Sequence, residues 1–202
     1  MDGQLFLSAA LFAVVTSFTP GPNNAMLLAS GVNYGFQQTV PHILGITIGY
    51  AVMFAAVALG VGQVFAAEPR LYAALQVFSV IYMLWLAWRI ANAGSTTEAA
   101  VRQPLTFLEA ALFQWINPKG VAIAIAAAAN YLKPATLIYD LPIMLALILA
   151  VSLASTSAWA LFGQGVRGLL ESDRRRTIFN WTMAALLVAS LWPLLANGVH
   201  LG

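Results

Sequence analysis

The sequence predicts an all-α integral membrane protein: six transmembrane helices arranged as two inverted three-helix repeats, with helices 1 and 4 broken at Asn/Pro motifs. Three observations carry this expectation. The 202 residues are 61% hydrophobic and 8% charged, with a mean hydropathy of +0.83, whereas an average soluble domain carries roughly 25% charged residues. Apolar runs that meet the length of a helical membrane span, about 20 residues, recur along the chain. Finally, the breaks "TPGPNN" and "WINPKG" stand well inside the first and the fourth of these runs.

Taken in order, the candidate spans are residues 4–30, 40–66, 70–91, 106–132, 138–163 and 178–198. The first follows "MDGQLFLSAALFAVV", which has no Lys or Arg ahead of its apolar run; a cleaved signal peptide needs a basic start, so this segment is expected to be retained and to span. "NYGFQQ", "AEPR", "NAGSTTEAAVRQP", "KPATLIYD" and "RGLLESDRRR" separate the six. Within the second, "GITIG" (residues 45–49) is a small-xxx-small pattern that lets helix backbones approach closely. Tyr34, Trp85, Trp88, Tyr131 and Trp192, near span ends, read as an aromatic belt.

The whole chain, 1–202, reads as a single transmembrane domain. Repeat 1 is 1–91, a polar loop covers 92–104, and repeat 2 is 105–202. Three spans per half is an odd number, so a fold repeated in both halves must have opposite orientations in the membrane. Inverted repeats with interrupted helices at corresponding places are a recurrent plan of secondary transporters, and the interruptions mark the substrate site. Orientation follows the cations. Arg89 and Arg102 flank the third connection, and Arg167, Arg174, Arg175 and Arg176 the fifth, against Arg70 and Lys133 on the other side. The odd-numbered loops are therefore expected in the cytoplasm and both termini outside.

The breaks have direct physical consequences. Pro20 and Pro22 remove amide donors and are expected to free carbonyls around residues 16–18, which in lipid must find partners inside the protein. Pro22 suits the first turn of a new half-helix, whose free N–H groups and positive dipole end favour a carboxylate. Thr16, Ser17 and Thr19 add hydroxyls, Asn23 and Asn24 add amides, and Gly21 permits close approach. In the fourth span about 12 residues, a rise of roughly 18 Å, precede Asn117 and Pro118. Lys119 then lies near the middle of a core about 30 Å thick. An ammonium there costs about 3 kcal/mol or more unless paired or hydrated. Gln114 and Trp115 precede that break. Glu109, about 15 Å from Lys119 by helical rise, is too far for a direct pair within one helix. Asp140 opens the fifth span at the interface.

Other chemistries find little support. The net charge of +2 suggests no nucleic-acid partner. The absence of cysteine excludes disulfides, thiolate metal sites and a Cys nucleophile. His42 and His200 are too few and too far apart for a typical metal site, and no hydrolase, metalloprotease or phosphate-cradling motif occurs. No cofactor or metal is expected, and no enzyme activity.

The segments "FTPGPNNAML", "HILGITIGYAV", "IYMLWLAWRI" and "FLEAALFQWINPKG" are similar to those of the lysine exporter (LysE/RhtB) superfamily of bacterial inner-membrane amino-acid exporters. The likeness covers nearly the whole chain and rests chiefly on TPGPN followed by NPK. It implies six helices in the bacterial cell inner membrane, among membrane lipid, and export of amino acids or similar small zwitterionic metabolites. It further implies coupling to an ion gradient and a homodimer. Binding roles would fall on Pro20, Gly21, Pro22 and Asn23 and on Asn117, Pro118 and Lys119. One departure is that Tyr50 follows Gly49 where many relatives carry an acidic residue, which leaves Glu109 as the ion-coupling candidate. The full expected substrate site is Thr19, Pro20, Gly21, Pro22, Asn23, Asn24, Gln114, Asn117, Pro118 and Lys119. The competing expectation is a membrane assembly subunit or intramembrane enzyme that transports nothing, with Asn117 and Lys119 as packing and anchoring residues.

Overall fold

A computed structural model describes residues 1–61, 68–93, 103–170 and 172–192. Arg102, His200 and the far ends of the expected second and sixth spans lie outside the described residues. Among the described residues every regular element is helical.

Helix α1, Gly3–Phe18, starts where the Asp2 carboxylate accepts from the Leu5 amide, 2.8 Å. It stops because Thr19 precedes a proline and turns extended, ψ 131°. Helix α2, Pro22–Tyr34, begins with Pro22 in its first turn and leaves α1 at a bend of 53°. Gly35, with φ 82°, ends α2 and starts α3, Phe36–Ala56, in one residue. The chain continues through Val57–Val61, where it is kinked at Gly60, φ 118°. Helix α4 is Pro69–Ala91.

The second half opens on α5, Phe107–Ile116, whose start is fixed by a reciprocal cap: Thr106 accepts from the Glu109 amide, and Glu109 accepts from the Thr106 amide. Asn117, extended at ψ 106° before Pro118, divides α5 from α6, Pro118–Tyr131. Then come α7, Leu137–Val166, and α8, Asp173–Ala189, the latter capped by Ser172. Both expected breaks are therefore present, at Thr19–Gly21 and at Asn117.

By length and composition, two of the described helical segments can cross a membrane unaided, Phe36–Val61 and Pro134–Leu170. The bent pair α1 and α2 makes a third if counted as one span. The fourth expected span is divided into pieces of 10 and 14 residues, and α8 opens on the charged run "DRRR".

The exterior carries many large apolar side chains, and a set of polar side chains is buried within the apolar core. Leu7, Leu11 and Val15 of α1, Ile81 of α4, and Leu108 and Leu112 of α5 are exposed. Asn24, His42, Gln114, Asn117, Ser155 and Asn180 are buried. Buried polar groups inside an apolar exterior are what hydrocarbon surroundings require.

Two crossings set the frame. Where α2 meets α7, a Cβ on Gly31 would stand 2.1 Å from the Ala160 carbonyl oxygen, and one on Gly163 2.3 Å from that of Leu28. Where α3 meets α5, Gly45 and Gly49 of "GITIG" lie against Phe107 and Ala111. Around these, α3 packs on α7, and α4 on α8.

Candidate functional site

Between the two breaks lies a cavity of about 70 Å³. Its floor is the α1–α2 junction, with Thr16, Ser17, Gly21, Pro22, Asn23 and Asn24. Asn117, Lys119 and Gly120 face them from the α5–α6 junction.

Three carbonyls at the first break, those of Ser17, Thr19 and Pro20, are taken up by side chains. Asn24 Nδ2 donates to the carbonyls of Ser17 and Thr19, each at 2.9 Å. Ser155 Oγ of α7 donates to the Ser17 carbonyl at 2.8 Å. Lys119 Nζ donates to the carbonyls of Thr19 at 2.7 Å and Pro20 at 3.3 Å. Side chains thus reach the carbonyls of residues 17, 19 and 20; Ser17 is among the expected 16–18, and the other two are added because Thr19 and Gly21 keep the chain extended past α1. Lys119 sits at the negative end of a helix dipole, where a cation is favoured.

The second break is simpler. Asn117 caps α6 with its own side chain, Oδ1 accepting from the Gly120 amide at 3.4 Å, and its amide still closes α5 on the Phe113 carbonyl at 2.9 Å. Ser79 of α4 donates to the Ile116 carbonyl beside it. The start of α2, in contrast, has no side-chain cap. Its first-turn N–H groups are therefore the unsatisfied helix donors at the cavity.

Asn23 and Gln114 join the halves through a reciprocal amide pair. Asn23 Nδ2 donates to Gln114 Oε1 at 2.8 Å and Gln114 Nε2 to Asn23 Oδ1 at 3.3 Å. Gln114 also donates to the Ala110 carbonyl at 2.8 Å and is fully buried.

Of the expected residues, Gly21, Pro22, Asn23, Asn24, Asn117 and Lys119 line the cavity. Thr19 and Pro20 act through their carbonyls, Gln114 through Asn23, and Pro118 by starting α6. Glu109 is elsewhere: it caps α5 and pairs with Arg89 Nη1 at 3.1 Å. The far wall was not anticipated. It comes from α7 through Ser152, Ser155 and Thr156, and from α3 through Ile46 and Tyr50. Spacing i, i+3, i+4 places the three hydroxyls on one face of an otherwise apolar helix, the signal that would have found them.

A cavity between two broken helices, with amide, hydroxyl and ammonium groups on its wall inside a molecule with an apolar exterior, is the arrangement expected of a membrane transport protein. The chain belongs to the LysE type translocator family, which matches residues 14–191, and whose members are transporters and not enzymes. It is 28% identical over 189 residues to a cysteine/O-acetylserine efflux protein of Klebsiella pneumoniae subsp. pneumoniae, covering 93% of this chain and 95% of that one. The protein of the same description from Salmonella typhimurium is 28% identical, covering 93% and 96%. That of Escherichia coli strain K12 is 25% identical over 178 residues, covering 88% and 90%. No solved structure matches the chain.

Proposed function

We propose that this protein exports small zwitterionic amino acids or close derivatives, with cysteine and O-acetylserine, named for its relatives, as first candidates. The observation that carries this reading is the meeting of opposite helix ends at one cavity. The carbonyl end of α1 suits an ammonium group. The uncapped N-terminus of α2, with Lys119 beside it, suits a carboxylate. A zwitterion presents those two charges a few ångströms apart. Ser152, Ser155 and Thr156 offer hydroxyls to orient it. At roughly 10–15 Å³ per water on the same measure, 70 Å³ holds about five to seven water-sized groups, the size of a small amino acid. No acidic side chain lines the cavity among the described residues, which favours neutral over basic substrates.

The architecture we infer is six spans in two inverted repeats. In its support, Pro22 and Pro118 each start the helix after a break. Pro41 and Pro142 each stand at the sixth position of α3 and α7, the helices that would correspond. Rocking of one half against the other would expose the cavity to each side in turn. From the family resemblance come the remaining parts of the reading: a homodimer in the bacterial inner membrane, among lipid, driven by an ion gradient. From the distribution of Lys and Arg come cytoplasmic odd-numbered loops and termini outside.

The test is intracellular accumulation in cells with and without the protein, over a panel of amino acids and O-acetylserine. Expression is expected to lower the accumulation of one or more small neutral compounds, and Lys119→Ala to abolish that effect while the protein remains in the membrane. If no compound's accumulation changes on expression, export is wrong. If Lys119→Ala exports fully, the role of the ammonium is wrong.

A further inference from the structure

A second cavity, of about 40 Å³, lies beside the α2–α3 turn. On α2 it starts one turn beyond Asn23, at Met26, and reaches Tyr34; on α3 its His42 is one turn from Ile46 of the first cavity. The two are thus neighbours along one axis, with the Asn23–Gln114 pair beside the junction. At roughly 10–15 Å³ per water, the second cavity admits about three waters, too little for an amino acid.

Its distinctive group is His42. The ring is 1% exposed, and neither nitrogen has a hydrogen-bond partner. A buried polar group without a partner is costly and rare in a native protein, and this one lines a space that fits water and nothing larger. The charged and titratable groups around it are few. Arg89 of α4 lines the same cavity, its Nη1 on Glu109 Oε1 of α5 at 3.1 Å and its Nη2 on the Gln103 carbonyl at 3.2 Å. Tyr34 of α2 also lines it. Tyr82 of α4, packed on Trp85 and Phe113, belongs to the same end. Helix α8 contributes neutral Asn180, paired with Asn33, and α7 contributes no lining residue among those described.

We propose that His42 is the proton-binding residue of transport. It takes a proton from water in one access state and releases it to water in the other, so that expulsion of substrate is exchanged for inward movement of a proton. This rests on the export reading above. No bond changes other than N–H at the imidazole. A neutral ring tolerates Arg89, whereas an imidazolium beside the guanidinium is repelled by it and competes with it for the Glu109 carboxylate. Glu109 caps α5, and five residues further along the same helix Gln114 holds Asn23. Through Arg89 and Glu109, helix α5 therefore links the cavity of His42 to the Asn23–Gln114 pair at the substrate cavity.

The experiment uses the purified full chain in lipid vesicles enclosing a pH-sensitive dye, with radiolabelled cysteine as probe. Wild-type protein is expected to accumulate cysteine against its gradient when a pH gradient is imposed, with a matching dye response. His42→Gln should lose both, down to the level of protein-free vesicles, while cysteine-for-cysteine exchange at equal pH continues. A wild-type dye response per cysteine in His42→Gln overturns the proposal. Absence of cysteine movement by the wild type overturns cysteine as its cargo, which is a separate result. Should His42→Gln fail to fold, a measurement on the native ring remains. His42 and His200 are the chain's two histidines, so in a His200→Gln protein one imidazole ¹⁵N spectrum is left. It is expected to switch protonation state on cysteine addition at some pH between about 5 and 8. A ring that stays in one state throughout, with and without cysteine, overturns the proposal.

Discussion

At Lys119 an ammonium that would cost about 3 kcal/mol or more at the bilayer centre meets two carbonyls that the first helix break leaves without amide partners. Each group relieves the other, and neither would be tolerable alone. Gly21 is what lets them meet. A Cβ there would lie 2.8 Å from Lys119 Cδ and 3.0 Å from Nζ. Those atoms belong to the far end of a flexible side chain, so Gly21→Ala should shift the ammonium without unfolding the protein. The expected outcome is a KM for efflux raised roughly tenfold, equivalent to about 1.4 kcal/mol, with little change in Tm. An unchanged KM would show that the ammonium's position is irrelevant to binding. That Lys119 would need polar partners was legible from charge and depth alone. Its partners were not, because they sit on a segment about a hundred residues away.

Helix α5 has ten residues and ends on two contacts: Glu109 with Arg89 at its start, Gln114 with Asn23 near its end. The amide pair invites a double-mutant cycle. Asn23→Leu leaves the buried Gln114 Oε1 without its donor, although Nε2 keeps the Ala110 carbonyl, and Gln114→Leu leaves the half-buried Asn23 amide without its partner; each should cost about 1–3 kcal/mol. The double variant should cost less than the two together, with a coupling of about 0.5–3 kcal/mol in detergent unfolding; strict additivity would refute the pair. At the α2–α7 crossing, Gly31→Ala forces a Cβ against backbone and should destabilise by about 1–3 kcal/mol. Gly165, with nothing within 4 Å of its Cβ position, should accept alanine within about 0.5 kcal/mol. Equal effects at the two glycines would contradict the close crossing. Both helix breaks were legible in sequence because proline acts on its own turn and the one before. The Ser152, Ser155 and Thr156 face was written in the spacing but hidden by the apolar average of α7. Glu109 illustrates the opposite limit: its capping role is local and readable as T-x-x-E, while its ionic partner depends on how α4 packs against α5.

For the molecule as a whole, the hydropathy that announces a membrane protein does not by itself count its crossings. Among the described residues two segments pass as spans and a bent pair makes a third; the break at Asn117 cuts one further apolar run into pieces below spanning length. Six crossings with opposed halves can be checked chemically, because the chain has no cysteine to remove first. Gln103→Cys and Lys133→Cys, both at exposed positions, should react with a membrane-impermeant maleimide from opposite faces, Gln103→Cys from the cytoplasmic one. Labelling of both from the same face would refute the arrangement. The hold of Lys119 on the α1 carbonyls bears on a different property, the tightness of the empty carrier. The Lys119 ammonium is tied to the α1 backbone. On the proposed export mechanism a substrate carboxylate would have to compete for it before the halves could part, which would make cargo the key to its own gate and, with transport coupled to an ion gradient, would keep idle copies from dissipating it.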